Sequence, residues 1–293
     1  MKRLRHNVMS CRSTDKCTQM NKESRNISMK RALSRFVFNA VGPIALLVLI
    51  VAAWQFVTIA FEIEALILPK PMRVFEAGMH EFGQIAGATW NTAAAALCGF
   101  GLSLLTGTLI ASVFTQSRMI RGSCYPYAIF LQTVPVVAIA PIIIMWFGYG
   151  FQSVVVVSFI ISLFPLVTNA TSGMLAVDTD LLDLFHLHRA SRWQVLVKLR
   201  LPNSVPHIIT GAKTSSGLAV IGAIVGEFFA GDNTSGIGLG YLIRLKSELM
   251  KTDGLFASVI ASTLLGVAIF GTLSATGAAV LSRWYDLPAE KGH

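Results

Sequence analysis

The sequence predicts an all-α integral membrane protein of about six helices, with both termini on the cytoplasmic side. Three observations carry that prediction. The 293 residues are 54% apolar and only 13% charged, against about 25% charged in an ordinary soluble protein. The apolar residues gather into blocks of roughly 18 to 26 residues, long enough as helix to cross a hydrocarbon core about 30 Å thick. The basic residues divide unevenly between alternate connections, which is the pattern that orients a chain in a membrane.

The blocks fall at about 36–61, 90–114, 125–147, 153–175, 205–230 and 256–281. An even number of spans places both ends on one side. Ten of the 24 Lys and Arg lie in the first 35 residues (Lys2, Arg3, Arg5, Arg12, Lys16, Lys22, Arg25, Lys30, Arg31 and Arg35). With that tail inside, the inner connections also hold Arg118, Arg121, Arg189, Arg192, Lys198, Arg200, Arg283 and Lys291. Lys213 sits at the inner end of the fifth block. The outer connections hold Lys70, Arg73, Arg244, Lys246 and Lys251. The bias keeps its sign when the tail is ignored, as the positive-inside rule requires.

This organisation gives a basic cytoplasmic tail over 1–35, a membrane domain over 36–284 and a short C-terminal tail over 285–293. The first tail is not a signal peptide: its apolar run starts late, is too long and lacks a small-x-small cleavage site. Met29-Lys30-Arg31 reads as a more ordinary start for a membrane protein, so residues 1–28 are expected to be disordered or to precede the native start. The net charge of +9 does not mark a nucleic-acid partner, because no aromatic or glycine platform accompanies the charges. Cys11, Cys17, Cys98 and Cys124 have no metal-ligand spacing and read as reduced or buried thiols.

Two spans carry small residues every four positions: Ala95, Gly99, Ser103, Gly107 and Ala111 in the second, and Gly211, Ser215, Ala219 and Ala223 in the fifth. Small residues let helix backbones approach closely in lipid. They serve a bundle seam or a dimer seam equally well by spacing alone.

The spans are almost bare of ionisable groups. Glu227 is the acid within one, and Lys213 lies near an inner end. A secondary transporter usually couples through such groups, so the energy for any pumping must enter from elsewhere. It does not come from this chain, which has no G-x-x-x-x-G-K-[ST] loop. Gly211-Ala212-Lys213-Thr214 copies only the end of one. Gly236-x-Gly238-x-Gly240 lacks the strand–helix frame of a dinucleotide site and reads as a flexible or re-entrant turn.

The connection over 176–204 is the longest inner segment after the tail. Asp178 to Asp180 supply helix N-caps. Leu181, Leu184, Phe185 and His188 then recur at helical spacing on one face. Ser191 caps a second short helix carrying Trp193, Leu196 and Val197, and Pro202 is expected to end it, having no N–H to donate. Periodicity alone leaves a membrane-surface helix pair and a pair docked in a partner's groove equally open.

Residues 183–202 resemble the cytoplasmic signature loop of binding-protein-dependent ABC importer permeases, E-A-A-x3-G-x9-I-x-L-P. Asp183 stands at the acidic position, Leu199 at the isoleucine and Leu201-Pro202 at the terminal pair. Ala190-Ser191-Arg192-Trp193-Gln194 is typical of the branch that carries nitrate, sulfonates, taurine, and pyrimidine or flavin vitamin precursors. Leu131 to Pro135, Gly222 to Phe228 and Gly238 to Ile243 are also similar to that branch. Two departures stand out. Leu184 and Phe185 replace the alanines, and Arg189 replaces the glycine between the short helices. Should that glycine need positive φ, Arg189 would be strained there.

The resemblance implies a six-helix bundle of the type I ABC importer permease kind in a bacterial-type cytoplasmic membrane. It also implies a coupling loop of Asp183, Arg189, Ala190, Ser191, Trp193, Leu199, Leu201 and Pro202 that meets a cytoplasmic ABC ATPase. The implied partners are a second permease chain, forming a homodimer, and an extracytoplasmic solute-binding protein. The chain itself would be no enzyme and hold no cofactor; ATP and magnesium would sit on the ATPase. Gln132, Thr133, Asn169 and Glu227 are polar groups in spans that would line the solute path, although helix–helix hydrogen bonding serves equally for the first three. For Glu227, near the outer end, the other reading is an interfacial carboxylate bonded to a neighbouring helix or water. His186 and His188 lack the further ligands of a metal site. Competing classes are a stand-alone channel or secondary transporter, which the bare spans oppose, and a membrane enzyme, which the lack of a catalytic constellation opposes.

Overall fold

The computed structural model describes residues 45–231 and 236–284, together with Gly42. The expectations for the tail 1–35 and for 285–293 lie outside the described residues, as does the start of the first block. The chain divides into two units, 1–64 and 65–293. The first holds helix α1, Ala45–Ala60, whose run from Leu46 to Val51 is wholly apolar.

The second unit is helical throughout its described residues. It contains α2 (Pro71–His80), α3 (Phe82–Gln116), α4 (Arg118–Thr133), α5 (Val136–Phe147), α6 (Phe151–Leu175) and α7 (Thr179–Leu187). After these come α8 (Arg192–Val195), a π-helical turn (Leu196–Arg200), α9 (Leu201–Ala230), α10 (Leu239–Glu248) and α11 (Thr252–Trp284). Among the described residues, four helical stretches are long and apolar enough to cross a membrane: Phe82–Gln116, Phe151–Leu175, Arg192–Ala230 and Thr252–Arg283. α1 and α5 are shorter apolar helices.

The third block is not one helix. α4 ends at Thr133 and α5 begins at Val136, with Pro135 extended (φ −65°, ψ 113°) as the cap. Proline has no N–H, and its ring crowds the carbonyl one turn back. Thr133 Oγ1 donates to the Phe130 carbonyl at 2.8 Å, satisfying one acceptor stranded at the break. Pro165 and Pro206, by contrast, lie inside unbroken helices, as membrane helices tolerate when neighbours re-satisfy the freed groups.

α6 is central and packs on both α3 and α9. The small-residue stripes predicted from sequence form these two seams within the chain. Ala95, Gly99, Ser103, Gly107 and Ala111 are all buried. A Cβ at Gly99 would lie 2.5 Å from Ser158 Oγ. From α9, a Cβ at Gly222 would lie 2.7 Å from Ser158 Cα, and one at Gly226 3.0 Å from Val154 Cα. Ser158 then donates across the seam to the Ala219 carbonyl at 2.9 Å. Close backbone approach, made possible by missing side chains, holds the bundle where lipid gives no hydrophobic push between helices.

The contacts sort into two ends. At one, Arg200 and Asn203 on the α8–α9 rod reach the last turns of α3 and α6. At the other, α2, α10 and the starts of α3 and α11 meet around Glu81, Lys246 and Gly254. Lys213 lies beside Gly277 of α11, whose Cβ would be 3.4 Å from Lys213 Cε. Gly277 is 23 residues from Gly254, or about 34 Å along the helix. Lys213 itself lies near the middle of the Arg192–Ala230 rod, 14 residues or about 21 Å before Glu227, and not at its inner end as expected from the sequence.

Candidate coupling site

The segment between α6 and α9 is built from two capped helices joined by a tight turn. Asp178 caps α7: its side chain accepts from the Asp180 amide at 3.0 Å. None of α7 is buried. α7 closes through paired C-terminal bonds, Ala190 N–H to the Phe185 carbonyl at 3.0 Å and Arg189 N–H to the His186 carbonyl at 2.9 Å. That pattern needs a left-handed residue just past the helix, a place usually held by glycine. Here Arg189 holds it at φ 50°. The turn keeps the shape a glycine would give it, and Arg189 carries the strain, of order 1–3 kcal/mol for a residue with a Cβ.

Ser191 opens α8 with a capping box. Its hydroxyl accepts from the Gln194 amide at 3.3 Å, and Gln194 Oε1 accepts from the Ser191 amide at 2.8 Å. Both orphan donors are thereby met. The expectation that Pro202 ends this helix is corrected. α8 runs through the π-helical turn into α9 as one rod, Arg192–Ala230. The physical reason is register: an i→i+5 turn moves the bonding pattern by one residue, and Pro202 falls in the first turn of the resumed α-helix, where a missing N–H costs least.

Val195 and Leu196 are buried and root the rod in the bundle. Leu196 joins Ala111, Ala170 and Met174, with Leu201 and Ile208 packed against them. The opposite surface is bare. Leu184, Leu187 and Trp193 are 49%, 79% and 69% exposed. Between α7 and α8 lies a cleft of about 250 Å³ lined by Leu184, Phe185, His188, Ala190, Gln194 and Lys198. Exposed apolar side chains on a helix pair with a cleft between them, and with exposed Asp183, Arg192 and Lys198 on the same segment, are the makings of a docking surface. Asp183, Arg189, Ala190, Ser191 and Trp193 therefore share one exposed unit, whereas Leu199, Leu201 and Pro202 lie on the rod that leads away from it. Sequence reasoning gave no role to Arg200, which caps α3, or to Asn203. A basic residue between two leucines near a helix end was the available signal.

The solute-path candidates are scattered. The Thr133 side chain bonds to its own helix. Asn169 Nδ2 donates to the Pro165 carbonyl at 2.7 Å, also within its helix, and sits against Gly211 of α9. The Gln132 side chain lies outside the described residues.

Glu227 is 5% exposed and forms a polar knot at the far end. Its Oε2 accepts from Thr92 Oγ1 and from the Gly240 amide, both at 2.9 Å. Thr92 Oγ1 in turn accepts from the Leu239 amide at 2.9 Å. Glu227 of α9 and Thr92 of α3 thus each cap one open amide of α10 from outside that helix. Gly238 and Gly240 are glycines because the approach is close: a Cβ would lie 2.2 Å from the Glu227 carboxyl carbon and 2.1 Å from the Ile224 carbonyl, respectively.

Comparison with known proteins agrees with this architecture. Residues 103–286 match the family described as binding-protein-dependent transport system inner membrane component. The riboflavin transport system permease protein RibX of Chloroflexus aurantiacus is 32% identical over 258 residues, covering 87% of this chain and 94% of that protein. The taurine transport system permease protein TauC of Escherichia coli is 28% identical over 269 residues, covering 89% and 93%. Among solved structures, a chain of the inward-facing MetNI methionine ABC transporter aligns with a TM-score of 0.57 at 14% identity, over 70% of this chain and 98% of that one. That last likeness bears on the fold alone. The chain is a multi-pass membrane protein and belongs to the family of binding-protein-dependent transport system inner membrane components.

Proposed function

We propose that this chain is the membrane-spanning subunit of an ATP-driven importer and that α7–α8 is the element through which it borrows energy. The observation that carries the reading is the exposure of Leu184, Leu187 and Trp193 on the α7–α8 pair, with Leu184 and Phe185 lining the cleft between them, on a segment rooted in the bundle by Val195 and Leu196. A helix pair built this way fits a groove on a cytoplasmic ATPase. The hydrolysis of ATP belongs to that partner.

In this reading α1, α3, the α4–α5 pair, α6, α9 and α11 are the six spans. Both termini and the coupling segment face the cytoplasm of a bacterial-type inner membrane. α2, α10 and the Glu227 knot face outward, toward an extracytoplasmic binding protein. A second copy of the chain completes the translocation path. Gln132 and Thr133, beside the interruption at Pro135, are the path candidates supported by helix geometry, since broken membrane helices leave backbone groups free to meet a solute. The names of the relatives favour a small solute of the taurine, sulfonate, flavin or pyrimidine-precursor kind.

The test is reconstitution with a cognate ATPase and binding protein. The ATPase is expected to co-purify. Thermal melting of the binding protein against taurine, an alkanesulfonate, nitrate, riboflavin and formylaminopyrimidine then identifies the solute. Uptake of that solute should require ATP. Uptake that persists without the ATPase would contradict the reading and favour a stand-alone transporter.

A further inference from the structure

We infer that Arg200 is a positioning residue: it fastens the coupling segment to the end of α3, so that displacement of α7–α8 is carried into the membrane helices. The inference rests on the proposed role of that segment. Arg200 closes the π-helical turn Leu196–Arg200. Its Nη1 donates to the carbonyl oxygen of Thr115, in the last turn of α3. The last four carbonyls of a helix have no partner within it, and they sit at its negative end. A guanidinium placed there satisfies one acceptor and complements the dipole, as a charge-assisted bond.

The fastening is part of a wider node. Thr115 Oγ1 donates to the Ser112 carbonyl at 2.9 Å and lies 3.8 Å from Met174 Sδ of α6. Asn203 Nδ2 donates to the Gly173 carbonyl, near the end of α6, at 3.3 Å. Leu196 packs beneath on Ala111 and Met174. The ends of α3 and α6 and the start of α9 therefore form one packed unit. Trp193 joins that unit through buried Val195 and the π-helical turn, a kind of turn that often marks a functional site, and Gln116 Nε2 at the end of α3 also donates to the Arg192 carbonyl of α8 at 3.5 Å. The turn is thereby tied to the end of α3 on both sides, by Gln116 before it and by Arg200 at its close. Arg200 bridges the turn to α3 by a side chain of fixed planar geometry, which a lysine, a single-point donor, reproduces only in part.

The test uses the full permease assembled with its cognate ATPase, comparing wild type, Arg200→Gln and Arg200→Lys. Two quantities are read: ATPase subunits bound per permease, and amide hydrogen exchange over residues 108–116 with and without ATP and vanadate. In the wild type, trapping is expected to change exchange in that segment at least fivefold. Arg200→Gln should keep the ATPase bound yet lose the ATP-dependent change, and Arg200→Lys should fall between. An Arg200→Gln complex with a wild-type response overturns the inference. So does loss of ATPase binding, which would make Arg200 part of the docking surface. Should Arg200→Gln fail to accumulate, a full-sized response in Arg200→Lys overturns it instead. A wild-type permease that binds no ATPase would sink the proposed function itself, and this inference with it.

Discussion

The two ends of the molecule solve opposite problems with similar residues. At the far end, polar groups are turned inward and matched. Glu227, Thr92 and the amides of Leu239 and Gly240 close on one another, and buried Lys246 pairs with Glu81. At the coupling end, α7 buries nothing, leucines and a tryptophan stand exposed, and a strained arginine holds the turn. The difference teaches which end is fastened by buried polar bonds and which is built from local caps. The knot holds its own elements together by internal bonds, whereas the exposed leucines and tryptophan of α7–α8 have no counterpart among the described residues to cover them.

The comparison can be broken at each end, and the largest effect is expected at the closed one. Gly240→Ala places a Cβ 2.1 Å from the Ile224 carbonyl, a clash with backbone that no rotamer relieves. A loss of about 3 kcal/mol is expected, the upper range for overpacking. A lower thermal midpoint in detergent would show it, and an unchanged midpoint would mean that the knot is looser than described.

Trp193→Ala comes next and acts on a different quantity. The side chain is exposed, so stability of the isolated permease should stay within about 0.5 kcal/mol of wild type. Affinity for the ATPase should fall by about 2 kcal/mol, roughly thirtyfold, if Trp193 is an interface anchor. Equal affinity would remove Trp193 from the docking surface.

The smallest effect has the opposite sign. Arg189→Gly relieves a left-handed residue of its Cβ and should raise stability of the α7–α8 turn by about 1 kcal/mol. Slower amide exchange at Ala190 is the expected sign. No change would show that the turn is not under strain.

Much of this was legible in the sequence. The small-residue stripes of the second and fifth blocks became the α3–α6 and α6–α9 seams, because spacing of four on a helix fixes a face whatever it meets. Asp178 and Ser191 act as the caps their positions predict. Local composition fails where the outcome depends on distant partners. Hydropathy could not show that α3 begins at Phe82, since Gly83, Gln84 and Gly87 dilute the signal without breaking the helix. It could not show that Pro135 breaks a span while Pro165 does not. Pro202 misled because a π-helical turn, invisible to periodicity, carried the helix through it. Glu227 was seen, but its partners lie 135 and 13 residues away, so spacing alone could not name them. The glycines at 238 and 240 read as flexibility, whereas the structure requires them for close approach.

The central claim is that the exposed face of α7–α8 is an ATPase docking surface. The most direct measurement replaces Trp193 with photo-reactive benzoylphenylalanine in the assembled transporter and identifies what it captures. The account predicts a covalent product with the cognate ATPase, lost on competition by excess wild-type permease. Capture of lipid alone, in a preparation where the ATPase is bound, would contradict it and return α7–α8 to the role of a membrane-surface helix pair.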